Sequence, residues 1–166
     1  MSVPKNIKIL RDAKVSLYPF IDFFQDFEKI EAVKKLFGDK TDEVLRNIKI
    51  EFGGRRGYMG VSNEDGHINI SANYLNTGNF VDIYLDIIHQ LVHVKQFMDG
   101  KELFEPRYND VNTFTEIEAY KYTVEEARRL GLNDDRIYEY LRMNRMNKEN
   151  TQRLLETLNI RYGKQK

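Results

Sequence analysis

From position 20 to 37 the chain reads FIDFFQDFEKIEAVKKLF, apolar at Phe20, Phe23, Phe24, Phe27, Ile30, Val33, Leu36 and Phe37. Steps of three and four are the spacing of one helix face, so a helix is predicted across this segment, with Gly38 placed to stop it. A short helix follows at TDEVLRN, with Thr41 as its N-cap. The period then changes. IKIEF (48–52) alternates apolar and polar residues and reads as a strand. YMGV (58–61) and HINIS (67–71) read as two more strands around NEDG, whose Asp65-Gly66 pair signals a hairpin. Residues 80–98 return to helical spacing and end at Asp99-Gly100. Residues 101–113 carry Pro106 and several Asn and Asp residues, and read as an irregular connection. A helix from Phe114 to Leu130 stops at Gly131, and two weaker helical patterns, DDRIYEYLRMNRM and NKENTQRLLETLNI, close the chain. Helix, antiparallel-type strands, then helices predicts an α+β fold with a small, mostly antiparallel sheet of about three to four strands. We read one domain over 1–166, with its core at about 48–130 and a C-terminal helical extension at about 131–162.

The helix over 80–98 is unusual in how little of it is polar. On a wheel, Ile83, Tyr84, Ile87, Ile88, Leu91 and Val94 cover one broad side, and Leu85 and Val92 extend it. The remainder is a narrow strip of Asp82, Asp86, His89, Gln90, His93 and Gln96. His89 and His93 are four apart, so both imidazoles project from adjacent turns of that strip and can reach one ion. A wet strip on an otherwise buried helix is the plainer explanation for such a pair. A third ligand decides between them, because a zinc site needs more than two.

Composition narrows the field without deciding it. The chain has 166 residues, with 41% apolar and 31% charged, which describes a globular domain. Twenty-six Lys and Arg balance 26 Asp and Glu, so no global field argues for nucleic acid or an acidic membrane surface. Only the stretch from Arg142 to Lys166 is locally basic, with seven Lys or Arg against two Glu, which leaves a non-enzymatic contact with an acidic partner or nucleic acid as the alternative reading. The absence of cysteine excludes disulfides and thiolate metal sites and is compatible with a reducing compartment. No apolar run approaches a membrane span, and the charged N-terminus lacks the apolar core of a signal peptide, so a cytoplasmic location is expected.

The helix over 114–130 offers the third ligand. Glu116 and Glu118 are two apart, so only one can face the histidines. Glu116 is followed by Ala119 at +3, a small residue that lets two helices approach, whereas Glu118 leads towards Glu125 and Glu126 and reads as part of a solvated face.

HQLVH (89–93), followed 23 residues after His93 by EIEAY (116–120), resembles the gluzincin branch of the zincin metallopeptidases. That family has an active-site helix with HExxH and then a glutamate helix, often ExxA, preceded by a small sheet whose edge strand takes the substrate. The resemblance covers about residues 48–130 and is nearest to minimal gluzincin domains. It implies zinc held by His89, His93 and Glu116, a peptide or protein as substrate or ligand, and a fourth, open position for water. In the family, zinc lowers that water's pKa, and a glutamate accepts its proton and passes it to the leaving amine. Here the glutamate's place is taken by Gln90, an amide that can hydrogen-bond but cannot act as a base near neutral pH. The metal site is expected to survive this change and the chemistry to be absent or very weak. A natural pseudo-peptidase and an engineered Glu-to-Gln variant would read alike.

Other positions depart from the pattern. Tyr120 stands where relatives often have an aspartate that supports a histidine; it is a candidate to polarise a carbonyl, though packing is the plainer role. Arg107 and Tyr108 are weaker candidates for the same role, and Asn112 for a cap. His67 reads as an outward strand residue, and GGRRG (53–57), lacking a Gly-Lys-Ser/Thr ending, as a turn or bulge.

Overall fold

The computed structural model describes residues 3–54, 59–101, 103, 114–142 and 148–161. It is mixed α and β, as the alternation of periods predicts. The phenylalanine-rich segment is the exception to its pattern. After strands β1 (Lys8–Ile9) and β2 (Ser16–Pro19), it divides into α1 (Phe20–Phe23), β3 (Phe24–Gln25), a 3-10 turn at Phe27–Lys29 and α2 (Glu31–Phe37). Two things break the helix. Phe24 and Gln25 pair antiparallel with Ile9 and Lys8, and Asp26 adopts φ +67°, a left-handed conformation no α-helix accommodates. Phe20, Phe23, Phe24 and Phe27 are nonetheless all buried, so the apolar spacing is satisfied by a bent chain.

Gly38, at φ +58°, ends α2 as predicted. In α3 (Thr41–Asn47), Thr41 is the first helical residue and not the N-cap; its hydroxyl donates back to the Gly38 carbonyl at 2.7 Å. β4 (Lys49–Gly53), β5 (Met59–Val61) and β6 (Ile68–Ser71) form where alternation places them. With β2 they make a four-stranded sheet in the order β2-β4-β6-β5. β2 and β5 run antiparallel to their neighbours, while β4 and β6 are parallel. Gly66, at φ +79°, closes the β5–β6 hairpin, its amide donating to Ser62 O at 3.0 Å. Gly53 and Gly54 end β4, and the rest of GGRRG lies outside the described residues. The sheet buries Ile50, Phe52, Ile68 and Ile70 and turns Lys49 and Glu51 outward.

Among the described residues five helices follow: α4 (Ala72–Thr77), α5 (Phe80–Met98), α6 (Phe114–Arg129), α7 (Asp134–Arg142) and α8 (Lys148–Thr157). α4 has no counterpart in the sequence reading; Ser71 caps it by accepting from Tyr74 N at 3.2 Å. Asn79 starts α5 in the same way, accepting from Asp82 N at 3.1 Å. α5 packs along α6 and against α2 and β5. Among the described residues no helix is long and apolar enough to cross a membrane.

The polar strip of α5 is not wet. Asp86, His89, Gln90, His93 and Gln96 are all buried, and α6, α7 and α4 supply polar groups to meet each of them except Gln90. Asp82 pairs with Arg136 at 2.6 Å. Asp86 accepts from the hydroxyls of Tyr140, at 2.7 Å, and Tyr74. Burial raises Asp86 to about 7, against the pull of the two hydroxyls, which favour the carboxylate.

This has a consequence for stability. Between its ordinary 3.8 and about 7, the folded chain keeps a proton on Asp86 that the unfolded chain has released. Its contribution to stability therefore declines as pH rises through that window and is level above it. Asp86→Asn removes the titration. In urea unfolding at about pH 5 and about pH 8, the difference between variant and parent is expected to move in the variant's favour at the higher pH.

Candidate metal centre

His89 and His93 point from adjacent turns of α5 towards Glu116 in the first turn of α6, and all three are buried. His89 Nε2 lies 3.2 Å from His93 Nε2. The Glu116 carboxylate bridges them, with Oε1 3.2 Å from His89 Nε2 and Oε2 2.9 Å from His93 Nε2. Donors bound to one tetrahedral zinc at ~2.0–2.1 Å would stand about 3.3 Å apart. The three groups are thus spaced, within a few tenths of an ångström, as ligands of one ion, and they form a cluster that can hold a metal. Of the two candidate glutamates it is Glu116 that faces the histidines. Glu118 is half-exposed and instead meets Gln96 and Lys101. Ala119 is fully buried, the small residue expected where α5 and α6 draw close.

The outer nitrogens of both rings are committed. His93 Nδ1 is 2.7 Å from Gln96 Oε1. His89 Nδ1 is 3.3 Å from Thr123 Oγ1, whose own hydrogen goes to the Ala119 carbonyl at 2.7 Å, leaving the oxygen to accept. Each Nδ1 therefore carries a hydrogen, and each Nε2 lone pair faces the other and the carboxylate. Such a convergence is repulsive unless a proton or a metal ion lies within it.

The electrostatics agree. Burial alone would push Glu116 up, but its hydrogen bonds to both histidines and their charge hold it well below the usual carboxylate range. Burial lowers His89, and the nearby Glu116 does not offset it. His93 is desolvated too, yet its contact with Glu116 outweighs burial and raises it. The carboxylate and His93 thus favour one proton held between them while His89 stays neutral, an arrangement with no net charge in which a cation can take the proton's place.

Gln90 is 6% exposed, and its Oε1 has no hydrogen-bond partner among the described residues, the one buried side-chain atom there of which this is true. An unmet buried carbonyl costs about 1–3 kcal/mol. Tyr120 packs its ring on His89, centroids 4.3 Å apart at 49°. Burial, then the charges of Glu116 and Asp86, push its hydroxyl well up, so it stays protonated. These contacts fit the packing role. Arg107, Tyr108 and Asn112 lie outside the described residues. His67 stands just before β6, partly exposed, and pairs with Asp65 of the hairpin and Glu51 of β4, apart from the metal-capable cluster.

The residues that the sequence reading missed are Gln96 and Thr123. Both had a signal. Gln96 is three residues after His93 on α5, and Thr123 is seven after Glu116 on α6, so each shares a helix face with a ligand. No protein family, curated protein or solved structure matches this chain.

Proposed function

We propose that this chain is a zinc-binding, metallopeptidase-like protein of the gluzincin type that holds peptides and hydrolyses them weakly or not at all. One observation carries the reading: His89 Nε2, His93 Nε2 and the Glu116 carboxylate converge within 3.2 Å of one another in a buried site. Two imidazoles and one carboxylate, without thiolate, suit zinc. A bound zinc supplies Lewis-acid polarisation of a carbonyl oxygen. The chain's own part is to hold the ion and to present Gln90 beside His89. Gln90 can donate or accept a hydrogen bond but takes no proton, which removes the general base worth ~10²–10⁴-fold in rate. β5, at the edge of the four-stranded sheet and packed on α5, offers an extended peptide an edge to pair with.

The basic C-terminal segment gains no support as a rival binding surface. Of its four described cations, Arg142 and Arg153 are paired with Glu139 and Glu149 at 3.0 and 2.6 Å, and Lys148 and Arg161 are scattered, exposed charges. The test is elemental analysis after zinc loading and dialysis, with peptide retention and cleavage measured on the same sample. One zinc per chain, with peptides bound and left intact, is the expected result. A chain without zinc overturns the reading.

A further inference from the structure

Resting on the zinc reading above, we infer that Gln96, aligned by Glu118, is the positioning residue that presents His93 Nε2 to the ion. Gln96 is 1% exposed, and its Nε2 lies between two acceptors, the Thr115 carbonyl at 3.0 Å and Glu118 Oε1 at 2.6 Å. Turned the other way, the amide would set its oxygen against a carbonyl and a carboxylate, so the orientation is fixed by its surroundings. Oε1 is left facing His93 Nδ1 at 2.7 Å, where it can only accept. The ring must therefore carry its hydrogen on Nδ1 and leave Nε2 free for the metal, although a free imidazole in water has no such constraint.

The support is one-sided. Gln96 meets His93 at 2.7 Å, whereas Thr123 meets His89 at 3.3 Å. Gln96 belongs to α5, but both of its Nε2 acceptors belong to α6, the helix that carries Glu116. The same amide thus aligns a histidine of one helix and ties that helix to the one bearing the carboxylate ligand. Lys101, 3.3 Å from Glu118 Oε1, holds the outer end of the relay as a weak, half-exposed pair. No carboxylate touches either Nδ1 among the described residues; a neutral amide and a hydroxyl do that work.

Two readouts test this. The first is the ¹⁵N shifts of the His93 ring in the metal-free chain, at a pH alkaline enough for a neutral imidazole. The second is zinc affinity by competition with a chromophoric chelator. In the unmodified chain, His93 is expected as the Nδ1–H form. Gln96→Met, of equal length but without the amide, should shift the ring towards Nε2–H and weaken zinc by ~10–100-fold. The exchange Gln96→Glu with Glu118→Gln keeps an acceptor facing Nδ1 and should restore the Nδ1–H ring, although the Thr115 carbonyl loses its donor. A purely structural role predicts no tautomer change. An Nε2–H ring in the unmodified chain, or zinc affinity in Gln96→Met within about threefold of it, overturns the inference. If Gln96→Met fails to fold, the unmodified ring decides alone. An Nδ1–H ring in a chain that takes up no zinc would instead refute the zinc reading and leave the positioning of the ring standing.

Discussion

Zinc should raise the unfolding free energy of this chain by ~4 kcal/mol when free zinc exceeds Kd a thousandfold, and a His89→Ala, His93→Ala double variant should show no such rise. For a chain of this length that gain is a rise of ~8–16 °C in Tm, readable by calorimetry. At that ratio the size follows from mass action alone; what the cluster decides is how low Kd lies, since two ring nitrogens and a carboxylate converge inside the protein at 2.9–3.2 Å, as ligands of one ion would. The informative quantity is the zinc-dependent shift. Removing both rings leaves Glu116 buried without them and lowers the metal-free baseline as well.

The pH dependence has a defined sign. His93 sits above its ordinary 6.5, so its metal-free contribution is present below that value and lost as pH rises through the raised one. Glu116 sits below its ordinary 4.5, so its contribution is present above 4.5 and lost as pH falls through the lowered value. Zinc competes with the proton held between them, so the zinc-induced rise in Tm should be smaller at about pH 5.5 than at about pH 8. A rise that is equal at both, or that persists in the double variant, would place the ion elsewhere.

The fold was legible where one element's own residues decide its form. α5 could be read because its apolar side is broad, Asn79 caps it and Gly100, at φ +80°, follows its end. The hairpin could be read because Asp65-Gly66 admits the positive φ its turn requires. Residues 20–37 could not, since their spacing reports only that Phe20, Phe23, Phe24 and Phe27 share a core. Whether the backbone between them is helical depended on Asp26 and on a two-residue pairing with Lys8 and Ile9. β2 is four residues long and ends in Pro19, too short for alternation to register.

The centre shows the same division. His89, His93 and Glu116 follow from spacing on two helices. The burial of their strip does not, because polar residue types say nothing of the groups that α6 and α7 bring to meet them. The support from Gln96 is illegible for a related reason: its amide is oriented partly by the Thr115 carbonyl, a backbone atom of another helix that any residue type would supply.

Gln90→Glu should convert the zinc-loaded chain into a peptidase, raising cleavage of an unstructured protein such as casein by ~10²–10⁴-fold over the parent. The two side chains are nearly the same size and shape, so the exchange asks little of the packing around position 90. What changes is the charge. Gln90 Oε1 already sits buried without a partner among the described residues, and a carboxylate there would be costlier still in the metal-free chain. A bound divalent ion reverses that balance by attracting the negative charge. The variant should therefore be less stable than the parent without zinc and recover most of the difference with it. Activity must vanish on chelation and in Gln90→Glu combined with His93→Ala, which separates the site's own chemistry from a contaminating protease. If Gln90→Glu binds one zinc and still cuts nothing, the peptidase resemblance fails while the metal centre stands. The residual identity would then be a zinc-binding domain whose glutamine was never a replaced base.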